Sequence, residues 1–137
     1  MRKILFICLG NRFRSRIAEE YFNKTNKNKK IKSSSAGLVY ANPISKNTVK
    51  TVKKYGINIG GGTPKRIKEN DLKNVDKVIV VADNVPISIL KIFSKNVISW
   101  NIRDTDGGNQ NKVENIVKNI IKKVDVLIKK ILREGVK

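Results

Sequence analysis

Two short apolar runs, Lys3-Ile4-Leu5-Phe6-Ile7 and Lys77-Val78-Ile79-Val80-Val81-Ala82, constrain this chain most. Both are continuous and contain β-branched residues, the pattern of a strand covered on both faces. A weaker strand is expected at Ile31 to Ser35 and a fourth at Val97 to Trp100. Between them lie helical periods. One runs from about Ser15 to Asn26, with Ile17, Ala18, Tyr21 and Phe22 on one side. A second is capped by Ser45 and runs through Val49 and Val52 to Tyr55, closed by Gly56. Shorter helices are expected at Glu69 to Leu72 and Pro86 to Phe93. The last helix is long, with Val113, Ile116, Val117, Ile120, Ile121, Val124, Leu127, Ile128 and Ile131 at helical spacing. Its lysine-rich polar face also suits a membrane surface, but the sheet needs a helix to cover it. This alternation predicts a parallel sheet with right-handed crossovers and helices on both faces.

In such a fold, ligands bind beyond the carboxyl ends of the strands. The Cys8 loop, Ser35, Asp83 and the Asp104 loop all follow strands, so they can share one crevice. Gly60-Gly61-Gly62-Thr63-Pro64 lacks the helix start of a Walker-type loop and reads as a surface turn.

The 137 residues, 39% hydrophobic, suit one compact domain over 1–137. No apolar stretch is long enough to span a bilayer, so a soluble cytoplasmic protein with no membrane partner is expected. The single cysteine excludes an internal disulfide, and the absence of histidine excludes histidine acid/base chemistry. The usual zinc ligand set is missing too, so no metal or other cofactor is called for. Any catalysis must run on Cys, Asp, Glu, Lys, Arg, Ser or Tyr. The net charge of +19 invites a nucleic-acid reading. The lysines, however, are spread through almost every segment, and the few aromatics do not interleave with them as a stacking platform. Nucleic acid stays a possible partner, but the charge reads better as solvated faces that also draw in anions.

The one cysteine sits in Cys8-Leu9-Gly10-Asn11-Arg12-Phe13-Arg14-Ser15, between the first strand and the first helix. Backbone N–H groups of Leu9 to Arg14, the helix end and the Arg14 fork are the parts that hold a phosphate-like dianion, whether phosphate, sulfate or a substrate. Such surroundings favour a thiolate at Cys8, a ready nucleophile. A phosphomonoester attacked there needs a proton on its leaving oxygen. Asp104 is the candidate acid, with Asp106 a nearby competitor. Ser15 is placed to donate to the sulfur.

This loop resembles the signature of the low-molecular-weight protein tyrosine phosphatases, Cys followed by five residues, Arg, then Ser or Thr. Ser35-Ala36-Gly37 is similar to the family's Ser-Ala-Gly segment, and Asp83 falls where the family has an aspartate after its third strand. Trp100-Asn101-Ile102-Arg103-Asp104 resembles the approach to its Asp-Pro loop. The resemblance covers most of the chain and implies a four-stranded, three-layer, flavodoxin-like α/β fold with the active site at the end of strand one. It implies that Cys8, Arg14, Asp104 and Ser15 are catalytic and that Leu9, Gly10, Asn11, Arg12 and Phe13 bind substrate, with Tyr40 a candidate contact beside them. It further implies that Asn11, Ser35 and Asp83 support the loop, with Asn11 hydrogen-bonded to Ser35. Spacing from Trp100 favours Asp104 over Asp106.

The departures are local. Phe13 stands where many relatives carry a second cysteine, which argues against thioredoxin-coupled arsenate reduction. Thr105 replaces the usual proline and Asp106 the aromatic after it, leaving Tyr40 as a candidate wall for a phosphotyrosine. Arg12 and Arg16 replace a small or apolar residue and a proline, making the rim basic. The expected activity is hydrolysis of phosphomonoesters, foremost tyrosine phosphate on a protein or a small aryl phosphate. The alternative is a catalytically weak anion- or nucleic-acid-binding module that retains the loop.

Overall fold

A computed structural model describes residues 2–61, 63–105 and 108–134. Gly62, Asp106 and Gly107 of the expected loops therefore lie outside the described residues. The elements follow in order as β1 (Arg2–Cys8), α1 (Arg14–Thr25), β2 (Ile31–Gly37), α2 (Lys46–Lys53), α3 (Glu69–Lys73), β3 (Lys77–Val80), α4 (Ile87–Lys91), β4 (Val97–Ser99) and α5 (Gln110–Arg133). The strands form one parallel sheet in the order β2-β1-β3-β4. This is the expected three-layer α/β fold.

The two apolar runs serve both faces because successive side chains of a strand point to opposite sides. Ile4 and Phe6 of β1 join Ile79 of β3 in a core with Ile17, Ala18 and Phe22 of α1, Val52 of α2, and α5. Leu5 and Ile7 face the other way with Val78, Val80 and Val97, under Leu72 of α3 and Leu90 of α4. Along α5, Val113, Ile116, Val117, Ile120, Val124, Leu127 and Ile131 are buried. Each such burial contributes about 2 kcal/mol, so the helix is held by the sheet it covers. Among the described residues no helix is long and apolar enough to cross a membrane.

Several boundaries differ from expectation, for physical reasons. β2 runs to Gly37 rather than Ser35, since Ala36 and Gly37 continue the ladder beside Ile7 and Cys8. β3 ends at Val80, although Val81 and Ala82 stay fully buried. β4 ends at Ser99, although the Trp100 N–H still reaches the Val80 carbonyl at 2.9 Å. α2 stops at Lys53, with Gly56 at φ 75° closing the turn beyond it. The helix expected at Pro86 to Phe93 shortens to α4, with Pro86 at its N-cap. Ser15 does not open α1: the helix begins at Arg14 behind Phe13, which offers no side-chain cap.

Candidate functional site

Ser15 lies in the first turn of α1, one residue past its start, and its hydroxyl is engaged with the loop. The Ser15 Oγ lies 3.0 Å from Cys8 Sγ. It also accepts from Asn11 Nδ2 at 2.9 Å, and the same Nδ2 donates to Ser35 Oγ at 2.8 Å. Asn11 Oδ1 takes the Lys65 N–H at 2.8 Å, which fixes the amide's orientation, because a backbone N–H can only donate. With both hydroxyl oxygens accepting from Asn11, their protons point outward along the network. That of Ser35 goes to Glu19 Oε1 at 2.5 Å, and that of Ser15 is left for the sulfur. The Asn11 N–H adds a second donor to the sulfur at 3.2 Å. Asn11 holds φ at 53°, a left-handed conformation that asparagine tolerates better than most residues.

The loop is also moulded by β2. A Cβ on Gly37 would lie 2.7 Å from the Gly10 carbonyl carbon and 2.8 Å from the Asn11 nitrogen, so only glycine lets the two segments touch. Beyond it, the N–H groups of Leu38 and Val39 take the Leu9 carbonyl at 2.8 and 3.0 Å. The Gly37 backbone in turn exchanges 2.7 Å hydrogen bonds with Lys65 and Ile67.

Arg14 is buried, a costly place for a guanidinium unless its donors are answered. They are: NH1 donates to the Ile102 carbonyl at 2.9 Å and NH2 to Asn84 Oδ1 at 3.0 Å. Asp104 lies 3.2 Å from NH2 and Asp83 3.7 Å from NH1, both carboxylates about two-fifths exposed. Asp104, Leu9, Gly10, Arg12 and Tyr40 line one hollow of about 430 Å³ over the loop. Tyr40 is largely exposed, its ring 4.8 Å beneath the Arg66 guanidinium.

The structure thus gathers Cys8, Ser15, Asn11 and Ser35 in one network, and Arg14, Asp83 and Asp104 in another. Two sequence expectations become more specific. The Phe13 side chain is buried in the core with Ile17, so only its backbone remains to face a ligand. Asp83 reaches the loop through Arg14, 3.7 Å from its NH1. Sequence reasoning missed Asn84 and Glu19. Asn84 follows Asp83 directly after a strand, at the edge where ligands gather, and that position was its signal. Glu19 had none, since its partner Ser35 lies 16 residues away.

Fold and loop together define a class: parallel α/β proteins that present a thiol to an oxyanion at the carboxyl edge of the sheet. Within that class the chain belongs to the low molecular weight phosphotyrosine protein phosphatase family, which it matches over residues 3–137. Members of this family are cysteine-dependent phosphatases. The low molecular weight protein-tyrosine-phosphatase YfkJ of Bacillus subtilis (strain 168) is 34% identical over 93 residues, 62% of this chain and 60% of that protein. The match therefore spans about three-fifths of that relative's length. A low molecular weight protein tyrosine phosphatase from T. tengcongensis superposes with a TM-score of 0.81 at 27% identity, covering 95% of this chain and 99% of that one. An arsenate reductase in its phosphate-binding state gives 0.79 at 27% identity, covering 95% and 98%.

Proposed function

We propose that the chain hydrolyses phosphomonoesters, foremost tyrosine phosphate on proteins, through a phosphocysteine at Cys8. The observation that carries this reading is that Asp104 lines the same hollow as the thiol-bearing loop and touches Arg14. Cys8 Sγ attacks phosphorus as the thiolate, and the P–O bond to the leaving group breaks. Arg14 and the loop N–H groups take the charge that spreads over the equatorial oxygens. The leaving oxygen receives the proton of Asp104. The Asp104 carboxylate then accepts a proton from water, whose oxygen attacks phosphorus. The S–P bond breaks, and the thiolate returns with the Ser15 and Asn11 donors ready to receive it.

Family membership supports phosphatase chemistry, and the exposed Tyr40 ring suits a flat aromatic ester. The likeness to an arsenate reductase points to shared oxyanion binding. With one cysteine, the chain has no second thiol to complete an internal redox relay. The test is steady-state hydrolysis of an aryl phosphate. Wild type should turn over and Cys8→Ser should lose essentially all activity; an inert wild type, or an active Cys8→Ser, overturns the reading.

A further inference from the structure

Beside the Cys8 loop lies a second hollow of about 330 Å³, between α2 and the turn at Gly60. Its floor is apolar, built from Ile44, Val49 and Ile59. Four cationic residues, Arg12, Arg16, Lys46 and Lys50, line it, and no carboxylate does. Arg12 lines this hollow and the one holding Asp104, so the two share a wall.

The four cations are unequally answered. Arg16 lies 3.9 Å from the carboxylates of Glu19 and Glu20 and donates to the Gly61 carbonyl, yet its buried Nε has no hydrogen-bond partner. Arg12 makes a long 3.5 Å contact with the Asn42 carbonyl. Lys46 and Lys50 are exposed one turn apart on α2, and neither forms an ion pair among the described residues. Like charges around one hollow repel, and an anion between them relieves that repulsion. An apolar floor under a cationic rim fits a short aliphatic stem ending in a carboxylate.

We propose that this hollow is a second anion subsite, which receives the acidic side chain of a residue flanking the phosphorylated residue of a peptide substrate. The inference rests on the Cys8 loop being a phosphomonoester site and adds which phosphopeptides it selects. With the phosphoryl group in the loop, the neighbouring residue crosses Arg12 to reach Lys46 and Lys50. Arg12 then serves both anions, which explains a cation at a position that needs none for the chemistry.

The test uses two peptides that carry a non-hydrolysable phosphonate in place of tyrosine phosphate and differ only in having Glu or Gln on both sides of it. Calorimetric titration into wild type at low salt should show the Glu peptide binding about fivefold tighter. Lys46→Gln/Lys50→Gln should remove most of that preference while leaving binding of phenylphosphonate and turnover of an aryl phosphate unchanged. Lys27→Gln/Lys29→Gln, exposed in the turn that leads into the amino end of β2, should preserve the preference and so separates a local subsite from the general attraction of a basic protein. Equal affinities, no binding of either peptide, or equal losses in the two double variants overturn the subsite. An intact flank preference in a protein that cannot hydrolyse the aryl ester leaves the subsite standing and removes the hydrolase reading.

Discussion

The Cys8 loop and the Asp104 segment flank the same hollow but are held by different forces. Around Cys8, side chains and backbone from α1, β2 and the Lys65 segment close a buried hydrogen-bond network. Asp104 is about two-fifths exposed, ion-paired to Arg14 at 3.2 Å, and otherwise turned back on the Thr105 N–H at 2.9 Å. The sulfur's position is thus a property of the fold, whereas the carboxylate's position is set by charge. Damage to the network that supports the sulfur should read out as lost structure, and damage to the second region as lost chemistry alone.

With the Cys8 nucleophile kept, the largest effect should come from the second region. Asp104→Asn is expected to slow turnover of poor-leaving-group esters by about 10²- to 10⁴-fold, and of activated aryl esters far less. Stability should change by less than about 1 kcal/mol, because the pair is partly solvated. Initial rates over esters of graded leaving-group acidity, with a denaturant midpoint beside them, check both halves. A uniform loss across leaving groups would break the assignment.

Asn11→Ala should reverse that signature. It removes three side-chain hydrogen bonds, strands the Lys65 N–H and puts a Cβ without a compensating amide at φ 53°. A loss of about 3 kcal/mol in urea unfolding is expected, together with weakened phosphate binding. A fully stable but inactive variant would show that the network orients the thiol without holding the fold.

The smallest effect calibrates the comparison with a contact remote from both regions. Tyr21 donates to Asp125 at 2.7 Å, tying α1 to α5, and burial first, then that carboxylate, hold its pKa above the ordinary value. The folded pKa exceeds the unfolded one, so the contribution is complete below about pH 10 and is lost as pH rises through the folded value. Solvent screening keeps it under about 1 kcal/mol. Urea titrations of wild type and Tyr21→Phe from neutral to alkaline pH should converge at the high end, with aryl phosphate turnover at neutral pH alike in both. A gap that widens with pH would reverse the sign.

The sequence made β1 and β3 legible because both lie inside the sheet, where burial on two faces demands an unbroken apolar run. β2 was harder to read. It is an edge strand, and Ser33 and Ser35 spend their hydroxyls on the Glu19 carbonyl and the Asn23 and Glu19 side chains of α1 rather than on an apolar face. Cys8, Arg14 and Ser15 were legible because strand, loop and helix are contiguous. What Arg14 leans on was not, since Asn84 and the Ile102 carbonyl are 70 and 88 residues away. Ser15 misled by one residue as the start of α1 for a related reason: where the helix opens is set by the folded loop that leads into it, and there Arg14 already takes the first helical position.

The contact of Gly37 with Gly10 and Asn11 carries a consequence for assembly. The loop's curvature is borrowed from a strand more than twenty residues downstream, which is in turn clasped by Lys65 and Ile67. No partly folded chain in which β2 is undocked can hold this loop. The thiol therefore gains its anion cradle only when the sheet's edge is in place, and until then it is an ordinary cysteine on an unfinished protein.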